Sequence, residues 1–223
     1  MTALSRAPRQ RVAVVISGRG SNMRTLIESG RAADSNFEVT LVLSDKADAG
    51  GLRVARELGV EARAIPAAGI RDRSAYDGAL SEALSAHAPS VVALAGFMRI
   101  LSARFVRDFA GMLLNIHPSL LPKYTGLHTH RRALAAGDAE HGVTVHYVTE
   151  ELDGGPRVLQ ARVPILPGDD ESALSARVQQ LEHKLYPQVV RWHCAGRLVY
   201  RDAQAWFDGR LLQEPLQWGG SIP

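Results

Sequence analysis

The chain has 223 residues, of which 46% are hydrophobic, and a formal net charge of +3 from 26 basic and 23 acidic residues. No apolar run reaches the roughly 20 residues that cross a bilayer, and the polar residues 1–10 lack the apolar stretch of a signal peptide. The single cysteine, Cys194, excludes a disulfide framework and a thiolate metal site, and the basic residues are scattered rather than clustered. We therefore expect a soluble, cytoplasmic protein that binds neither nucleic acid nor membrane.

In chain order, the first half alternates apolar runs with amphipathic segments. Continuous apolar runs predict buried strands at 12–16, 39–43, 62–65 and 91–94. Helices are predicted between them at 23–29, 51–58 and 76–86, and residues 1–10 are predicted to be a frayed lead-in. This alternation indicates βαβ units, and hence an α/β protein with a mostly parallel central sheet and helices on both faces.

A glycine-rich turn, residues 17–22, follows the first predicted strand, where α/β proteins commonly bind phosphate. Its backbone N–H groups and the N-terminus of the next helix favour an anion, and Gly20, Ser21 and Asn22 are the candidate ligands. Met23 replaces the third glycine of the dinucleotide fingerprint, and the Gly-Lys-Ser/Thr ending of an ATP-binding loop is missing. The turn therefore predicts a site for a phosphate monoester, with a purely structural strand-to-helix turn as the alternative.

The second half mixes predicted strands with one long helix. Strands are predicted at 113–116, 144–148 and 158–163, of which the last two alternate in polarity and suggest antiparallel members of the sheet. A helix is predicted from about residue 171 to 193, capped by Asp169 or Asp170 and kinked or ended early by Pro187. In the tail, 198–201 and 205–212 predict a hairpin around Asp208-Gly209. With no repeat and no linker, residues 1–223 are predicted to form one domain.

Asn115 and His117 lie two residues apart at the end of a predicted strand, so their side chains point to the same side. Open α/β sheets bind ligands outside the carboxyl ends of their strands. An amide donor and a protonated imidazole in that position can stabilise a developing oxyanion. Two prolines fix the loop that follows, and Leu121-Pro122 is a candidate cis peptide bond.

A protonated imidazole needs a nearby carboxylate, and Asp153 in the segment 150–155 is the candidate. An Asp beside His117 favours the imidazolium and raises its pKa, while Gly154 and Gly155 permit backbone shapes that other residues avoid. Taken singly, each motif has an ordinary interpretation: an acidic surface turn for 150–155, and a core or loop histidine for His117. The catalytic hypothesis depends on the three residues occurring together.

The chain resembles the folate-dependent formyltransferase family from residue 12 to about residue 208. The segments that carry the resemblance are Ile16-Ser17-Gly18-x-Gly20-Ser21-Asn22, residues 44–49, residues 94–101, Asn115 through Tyr124, Gly126-Leu127-His128-Thr129-His130 and residues 151–155. The Gly-Ser-Asn loop and Gly-Leu-His-Thr-His are typical of members that formylate glycinamide ribonucleotide in purine biosynthesis. The resemblance implies a Rossmann-like formyltransferase fold, with a phosphate-binding half at 11–110 and a catalytic, folate-binding half at 111–223.

The resemblance also implies a reaction, in which the amine of glycinamide ribonucleotide attacks the formyl carbon of 10-formyltetrahydrofolate. Asn115 and protonated His117 would stabilise the oxyanion, and Asp153 would keep His117 charged and move a proton through water. The other implied contacts are Gly20, Ser21 and Asn22 for the phosphate; Gln179, Gln180, Leu181 and Glu182 for the ribose and glycinamide; Arg73, Met98, Arg99, Ile100, Leu101, Asn115, Thr149, Glu150, Glu151, Leu152 and Asp153 for the folate; and His128 in support. Family members need no metal, and a monomer or homodimer is expected.

Two residues depart from the family pattern. Arg19 stands in the glycine-rich turn where asparagine is common, and we expect its side chain to face solvent. Thr125 replaces a proline that usually precedes the Gly-Leu-His-Thr-His segment. We expect this change to loosen the loop without disturbing the three catalytic residues.

Other functions stay open at this point. A 10-formyltetrahydrofolate hydrolase or another formyl-folate transferase, such as one acting on methionyl-tRNA, is disfavoured because each usually carries an additional domain. A nucleotide-binding redox module is disfavoured by the missing third glycine. A metal site built from His128, His130, His141 and His146 lacks any CxxC or HExxH pattern in its support.

Overall fold

The computed structural model describes residues 8–67 and 73–219. The strands are β1 (Gln10–Ile16), β2 (Phe37–Ser44), β3 (Glu61–Ala64), β4 (Val91–Leu94), β5 (Leu113–His117), β6 (Glu140–Tyr147), β7 (Arg157–Pro164), β8 (Leu198–Arg201), β9 (Gln204–Phe207), β10 (Arg210–Leu211) and β11 (Leu216–Gln217). The helices are α1 (Ser21–Arg31), α2 (Gly50–Glu57), α3 (Arg73–His87), α4 (Ala103–Asp108), α5 (Thr129–Ala135) and α6 (Glu171–Cys194). No described helix combines the length and the apolar character needed to span a membrane.

Eight strands form one sheet in the order β11-β7-β6-β5-β4-β1-β2-β3. The β5–β6 and β6–β7 pairs are antiparallel, and the other five neighbouring pairs are parallel. A separate antiparallel sheet contains β8, β9 and β10. The predicted fold, a mostly parallel sheet with antiparallel members in the C-terminal half, is therefore confirmed.

Strand β1 shows how the sheet builds a core on each face. Successive side chains of a strand point to opposite faces. Val12, Val14 and Ile16 pack in the apolar cluster that contains residues of α1, α2 and α6. Ala13 and Val15 pack in a second cluster with residues of α3 and α4. A strand that is buried on both faces must be apolar throughout, which explains the uninterrupted run in the sequence.

The helix predicted at about 171–193 is confirmed, but it does not end early at Pro187, because α6 continues through this buried proline to Cys194. Core packing of the surrounding turns, including Leu185 and Val189, offsets the hydrogen bond that proline cannot donate. The lead-in is shorter than predicted, because Gln10 already belongs to β1 and the preceding Arg9 donates to two backbone carbonyls at the end of α1. Residues 1–7 lie outside the described part of the chain.

The tail contains two hairpins rather than one. The predicted turn at Asp208-Gly209 joins β9 to β10, and a second turn at Asp202-Ala203 joins β8 to β9. Both residues of the second turn have positive φ angles, 54° and 57°, so it uses a hairpin conformation without the glycine that signals one. The short elements α4, α5 and β11 also have no counterpart among the predictions. Strand β11 pairs in parallel with β7 at the edge of the large sheet.

Candidate functional site

The glycine-rich turn brings the starts of two helices together. Gly20, with a φ of 75°, caps α1, which begins at Ser21. Near the start of α2, Gly51 donates its N–H to the carbonyl of Gly18 (3.0 Å), and a Cβ at Gly51 would lie 2.4 Å from the Ile16 side chain. Glycine at position 51 therefore lets α2 approach the turn closely, so that two helix N-termini lie beside it.

Two side chains of α6 contact the same turn. Gln179 donates through Nε2 to the hydroxyl of Ser21 (3.1 Å), and Asn22 donates through Nδ2 to Glu182 Oε2 (2.7 Å). Burial raises the pKa of Glu182, and the hydrogen bond from Asn22 opposes that shift. The buried side-chain oxygen of Asn22, Oδ1, has no hydrogen-bond partner within the described residues. The turn and α6 thus form one continuous polar surface.

Asn115, His117 and Asp153 converge at the carboxyl end of β5. His117 Nδ1 lies 3.6 Å from Asp153 Oδ2, and each of these two side chains is only 8% exposed. His117 Nε2 donates to the backbone carbonyl of Tyr124 (2.9 Å). Each ring nitrogen of His117 therefore faces an oxygen that can accept a hydrogen bond. The 3.6 Å separation from Asp153 exceeds a hydrogen bond, so Nδ1 stays available to a third group.

His146 is absent from the predicted site, yet it contacts this cluster. It lies directly opposite Asn115 in the antiparallel β5–β6 pair. Its Nδ1 donates to the carbonyl of Tyr147 (2.8 Å), so Nε2 accepts a hydrogen bond from the Asn115 amide (3.1 Å). Burial lowers the pKa of His146 and keeps it neutral, so its 3.8 Å approach to Asp153 is not an ion pair. His146 therefore sets the orientation of the Asn115 carboxamide.

The segment that carries Asp153 owes its shape to two different residues. Asp153 itself has a positive φ of 54°, whereas Gly154 and Gly155 do not show the unusual φ that the sequence suggested. Gly155 is needed for space, because a Cβ there would lie 1.9 Å from the carbonyl oxygen of Tyr147. The glycine therefore allows a close approach to β6, and this approach places Asp153 beside His117.

A cavity of about 100 Å³ opens beside the cluster. It is lined by Leu94, Phe97, Arg99, Ile100, Leu101, Val106, Asn115, His146, Val148, Thr149, Glu150, Glu151, Leu152 and Asp153. Most of the predicted folate residues thus share one cavity, whose apolar members Leu94, Phe97, Val106 and Val148 escaped prediction. Met98 is 62% exposed outside the lining, and the side chain of Arg73 lies outside the described part of the structure.

The remaining predicted residues lie further from the cluster or on its margin. On α6, Gln180 is exposed and Leu181 packs against the apolar core. His128 is exposed at the N-cap of α5, with a φ of 59°. Arg19 is exposed in the glycine-rich turn, as expected, and the Leu121-Pro122 bond, named as a candidate, is cis.

The four histidines that could have bound a metal are divided between separate contacts. His130 Nδ1 and His141 Nε2 lie 3.1 Å apart, and His146 is bonded to Asn115. Within the described residues, no group of three or more His, Cys, Asp or Glu side chains is arranged to hold a metal ion. The metal interpretation therefore has no support in this part of the chain.

Mild acid is expected to destabilise the fold through His141. Burial lowers the pKa of His141 from 6.5 to about 4, and the neighbouring His130 adds to this shift. The unfolded chain binds a proton at this residue below about pH 6.5 and the folded chain does not, so the free energy of unfolding falls as pH drops through this window. Urea denaturation at about pH 7.5 and about pH 5 measures how much free energy of unfolding is lost between the two pH values. This loss should be smaller for His141→Asn than for the unsubstituted chain. His87→Asn, at the end of α3, is the control; an identical loss in His141→Asn and the unsubstituted chain would contradict this origin.

The chain matches the formyl transferase family over residues 10–190. It is 52% identical over 201 residues to the phosphoribosylglycinamide formyltransferase of Escherichia coli (strain K12), which covers 90% of this chain and 95% of that protein. It is 46% identical over 193 residues, 86% of this chain, to 14% of the trifunctional purine biosynthetic protein adenosine-3 of Drosophila pseudoobscura pseudoobscura. The structure of the phosphoribosylglycinamide formyltransferase from Coxiella burnetii, 43% identical, matches 93% of this chain and 99% of its own with a TM-score of 0.88. The chain is therefore an enzyme that belongs to the formyl transferase family.

Proposed function

We propose that this enzyme transfers the formyl group of 10-formyltetrahydrofolate to the amine of glycinamide ribonucleotide in purine biosynthesis. The products are formylglycinamide ribonucleotide and tetrahydrofolate. The observation that carries the proposal is the convergence of Asn115, His117 and Asp153 beside a cavity, with 3.6 Å between His117 Nδ1 and Asp153 Oδ2. The names of the E. coli and C. burnetii relatives support glycinamide ribonucleotide as the acceptor.

In the proposed mechanism, Asn115 and His117 stabilise the oxyanion that forms when the substrate amine attacks the formyl carbon. His117 Nε2 stays bonded to the Tyr124 carbonyl, which fixes the ring, and the Nδ1–H of the imidazolium donates to the oxyanion. One N–H of the Asn115 amide is bonded to His146, and the second donates to the same oxyanion. Both donors are held in place before the reaction, which is the condition for strong stabilisation.

Asp153 has two roles in this mechanism. Its negative charge favours the imidazolium form of His117. Its Oδ2 accepts the N–H of Gly126 (2.8 Å), so Oδ1 is the oxygen that can bind a water molecule. Through that water, Asp153 transfers a proton from the attacking amine to the departing folate nitrogen.

The two substrates occupy neighbouring regions in this proposal. Gly20, Ser21 and Asn22 bind the phosphate of glycinamide ribonucleotide between two helix N-termini, and Gln179 and Glu182 connect this turn to the ribose and glycinamide. One end of the folate enters the cavity lined by 99–101 and 149–153, where Ile100 and Leu152 are about half exposed and suit an aromatic ring system. We place the enzyme in the cytoplasm and assign no metal to the reaction.

A direct assay with three acceptors tests this function. The purified enzyme is given 10-formyltetrahydrofolate with glycinamide ribonucleotide, with methionyl-tRNA or with water alone, and tetrahydrofolate release and the formylated product are measured. We expect product only with glycinamide ribonucleotide. Release in water alone would identify a hydrolase, formylated methionyl-tRNA would identify a different transferase, and no release with any acceptor would refute formyl transfer.

Arg19 is expected to contribute little to phosphate binding. Its side chain is exposed in the glycine-rich turn and takes no part in the hydrogen bonds that join Ser21 and Asn22 to α6. Arg19→Ala should therefore leave the KM for glycinamide ribonucleotide within about twofold, whereas Asn22→Ala should raise it by about tenfold, the size of one charge-assisted hydrogen bond. A rise for Arg19→Ala as large as that for Asn22→Ala would place Arg19 on the phosphate.

A further inference from the structure

We propose that Arg132 is a positioning residue that holds the loop between His117 and Asp153 in its active conformation. The inference rests on the proposed function, because it assigns these two side chains to the reaction. Arg132 lies on α5, exposed to solvent, and no motif in the sequence draws attention to it. Its importance follows from what its guanidinium contacts.

A three-residue loop, 124–126, contacts both catalytic side chains through its backbone. The carbonyl of Tyr124 accepts the Nε2–H of His117 (2.9 Å), and the N–H of Gly126 donates to Asp153 Oδ2 (2.8 Å). These two contacts fix the His117 ring on one side and the Asp153 carboxylate on the other. A displacement of this loop would therefore change the relative placement of both groups at once.

The backbone of this region adopts energetically unfavourable φ angles. Tyr124 has a φ of 57°, Gly126 of 74° and His128 of 59°, so two residues with a Cβ adopt the left-handed conformation within one short segment. Such a conformation persists only where other contacts hold it. Thr125, between Tyr124 and Gly126, has no ring that restricts its φ.

Arg132 restrains the backbone at the centre of the loop. Its Nη1 donates to the carbonyl of Thr125 at 2.6 Å, and its guanidinium lies 5.1 Å from the centre of the Tyr124 ring. A charged donor on a backbone carbonyl makes a stronger hydrogen bond than a neutral one, and the ring contact adds a cation–π interaction. Tyr124 is held a second time, because its hydroxyl donates to Asp138 Oδ2 (2.8 Å).

The adjacent Arg131 offers a matched control. It lies on the same helix and is also exposed, but its side chain pairs with Glu171 (3.2 Å) and not with the loop. Arg131→Gln and Arg132→Gln remove the same charge from neighbouring positions. Only Arg132→Gln removes the contact to Thr125, so a difference between the two variants reports on loop positioning and not on net charge.

The test compares these two variants with the unsubstituted enzyme in kinetics and in hydrogen exchange. For Arg132→Gln we expect kcat to fall about fivefold, since small displacements of positioned groups cost activity steeply, with the KM for glycinamide ribonucleotide within about twofold. The amide hydrogen of Gly126 should exchange faster in Arg132→Gln and at an unchanged rate in Arg131→Gln. Equal kcat and equal exchange in both variants would overturn the proposal.

The exchange measurement also separates this inference from the proposed function. If no form of the enzyme transfers formyl groups, the reaction has been assigned wrongly, but the Gly126 amide still reports whether Arg132 holds the loop. If formyl transfer is normal and the Gly126 amide exchanges at the same rate in Arg132→Gln as in the unsubstituted enzyme, the proposed function is retained and the positioning role of Arg132 is rejected.

Discussion

Replacing His117 with alanine is expected to lower kcat by about 10² or more, with the KM values for both substrates changed far less. The imidazole is only 8% exposed and its Nε2 is fixed on the Tyr124 carbonyl. In the proposed mechanism its Nδ1–H donates to the oxyanion. Alanine removes that donor in the transition state and leaves the substrate sites intact. A loss confined to kcat is the signature of an interaction made only in the transition state.

The measurement is steady-state kinetics of formyl transfer with both substrates varied. His87→Ala serves as the control, since it removes a histidine at the end of α3 that pairs with Glu61 (3.0 Å). Thermal unfolding of both variants shows whether the fold is retained. A folded His117→Ala enzyme with near-normal kcat would remove His117 from the mechanism.

Replacing Asp153 with asparagine is expected to lower kcat by about 10². The amide keeps the size of the side chain but deletes the negative charge 3.6 Å from His117 Nδ1. The amide also cannot accept the proton that the carboxylate receives through water.

The measurement is steady-state kinetics of formyl transfer, with thermal unfolding to show that the variant is folded. Asp202→Asn removes one negative charge from an exposed turn of the C-terminal sheet and should leave kcat unchanged. A folded Asp153→Asn enzyme with near-normal kcat would remove the carboxylate from the mechanism.

The sequence predicts those features that depend on local pattern. The buried strand at 12–16, the glycine-rich turn and the pair Asn115 and His117 are each visible within a few residues, because burial on two faces and side-chain alternation leave a local mark. The joining of Asp153 to His117 is not local. The residues made Asp153 a candidate partner of His117, and the resemblance to a family strengthened that expectation.

The features that escaped prediction depend on contacts between distant segments. His146 enters the site because the register of β5 against β6 places it opposite Asn115, and register cannot be read from either strand alone. Gly51 lies at the start of α2, but its lack of a side chain matters because it leaves space for the turn after β1. Pro187 was expected to kink α6 or end it early, but α6 continues past it because tertiary packing outweighs its local preference.

Strand β11 has a further consequence for the behaviour of the chain in solution. It pairs with Leu159 and Gln160 of β7 and covers backbone groups of this part of the sheet margin. An uncovered margin is a template on which a second polypeptide can add a strand, and this is a common route to aggregation. A tail of two paired residues therefore shields this part of β7 from such an addition.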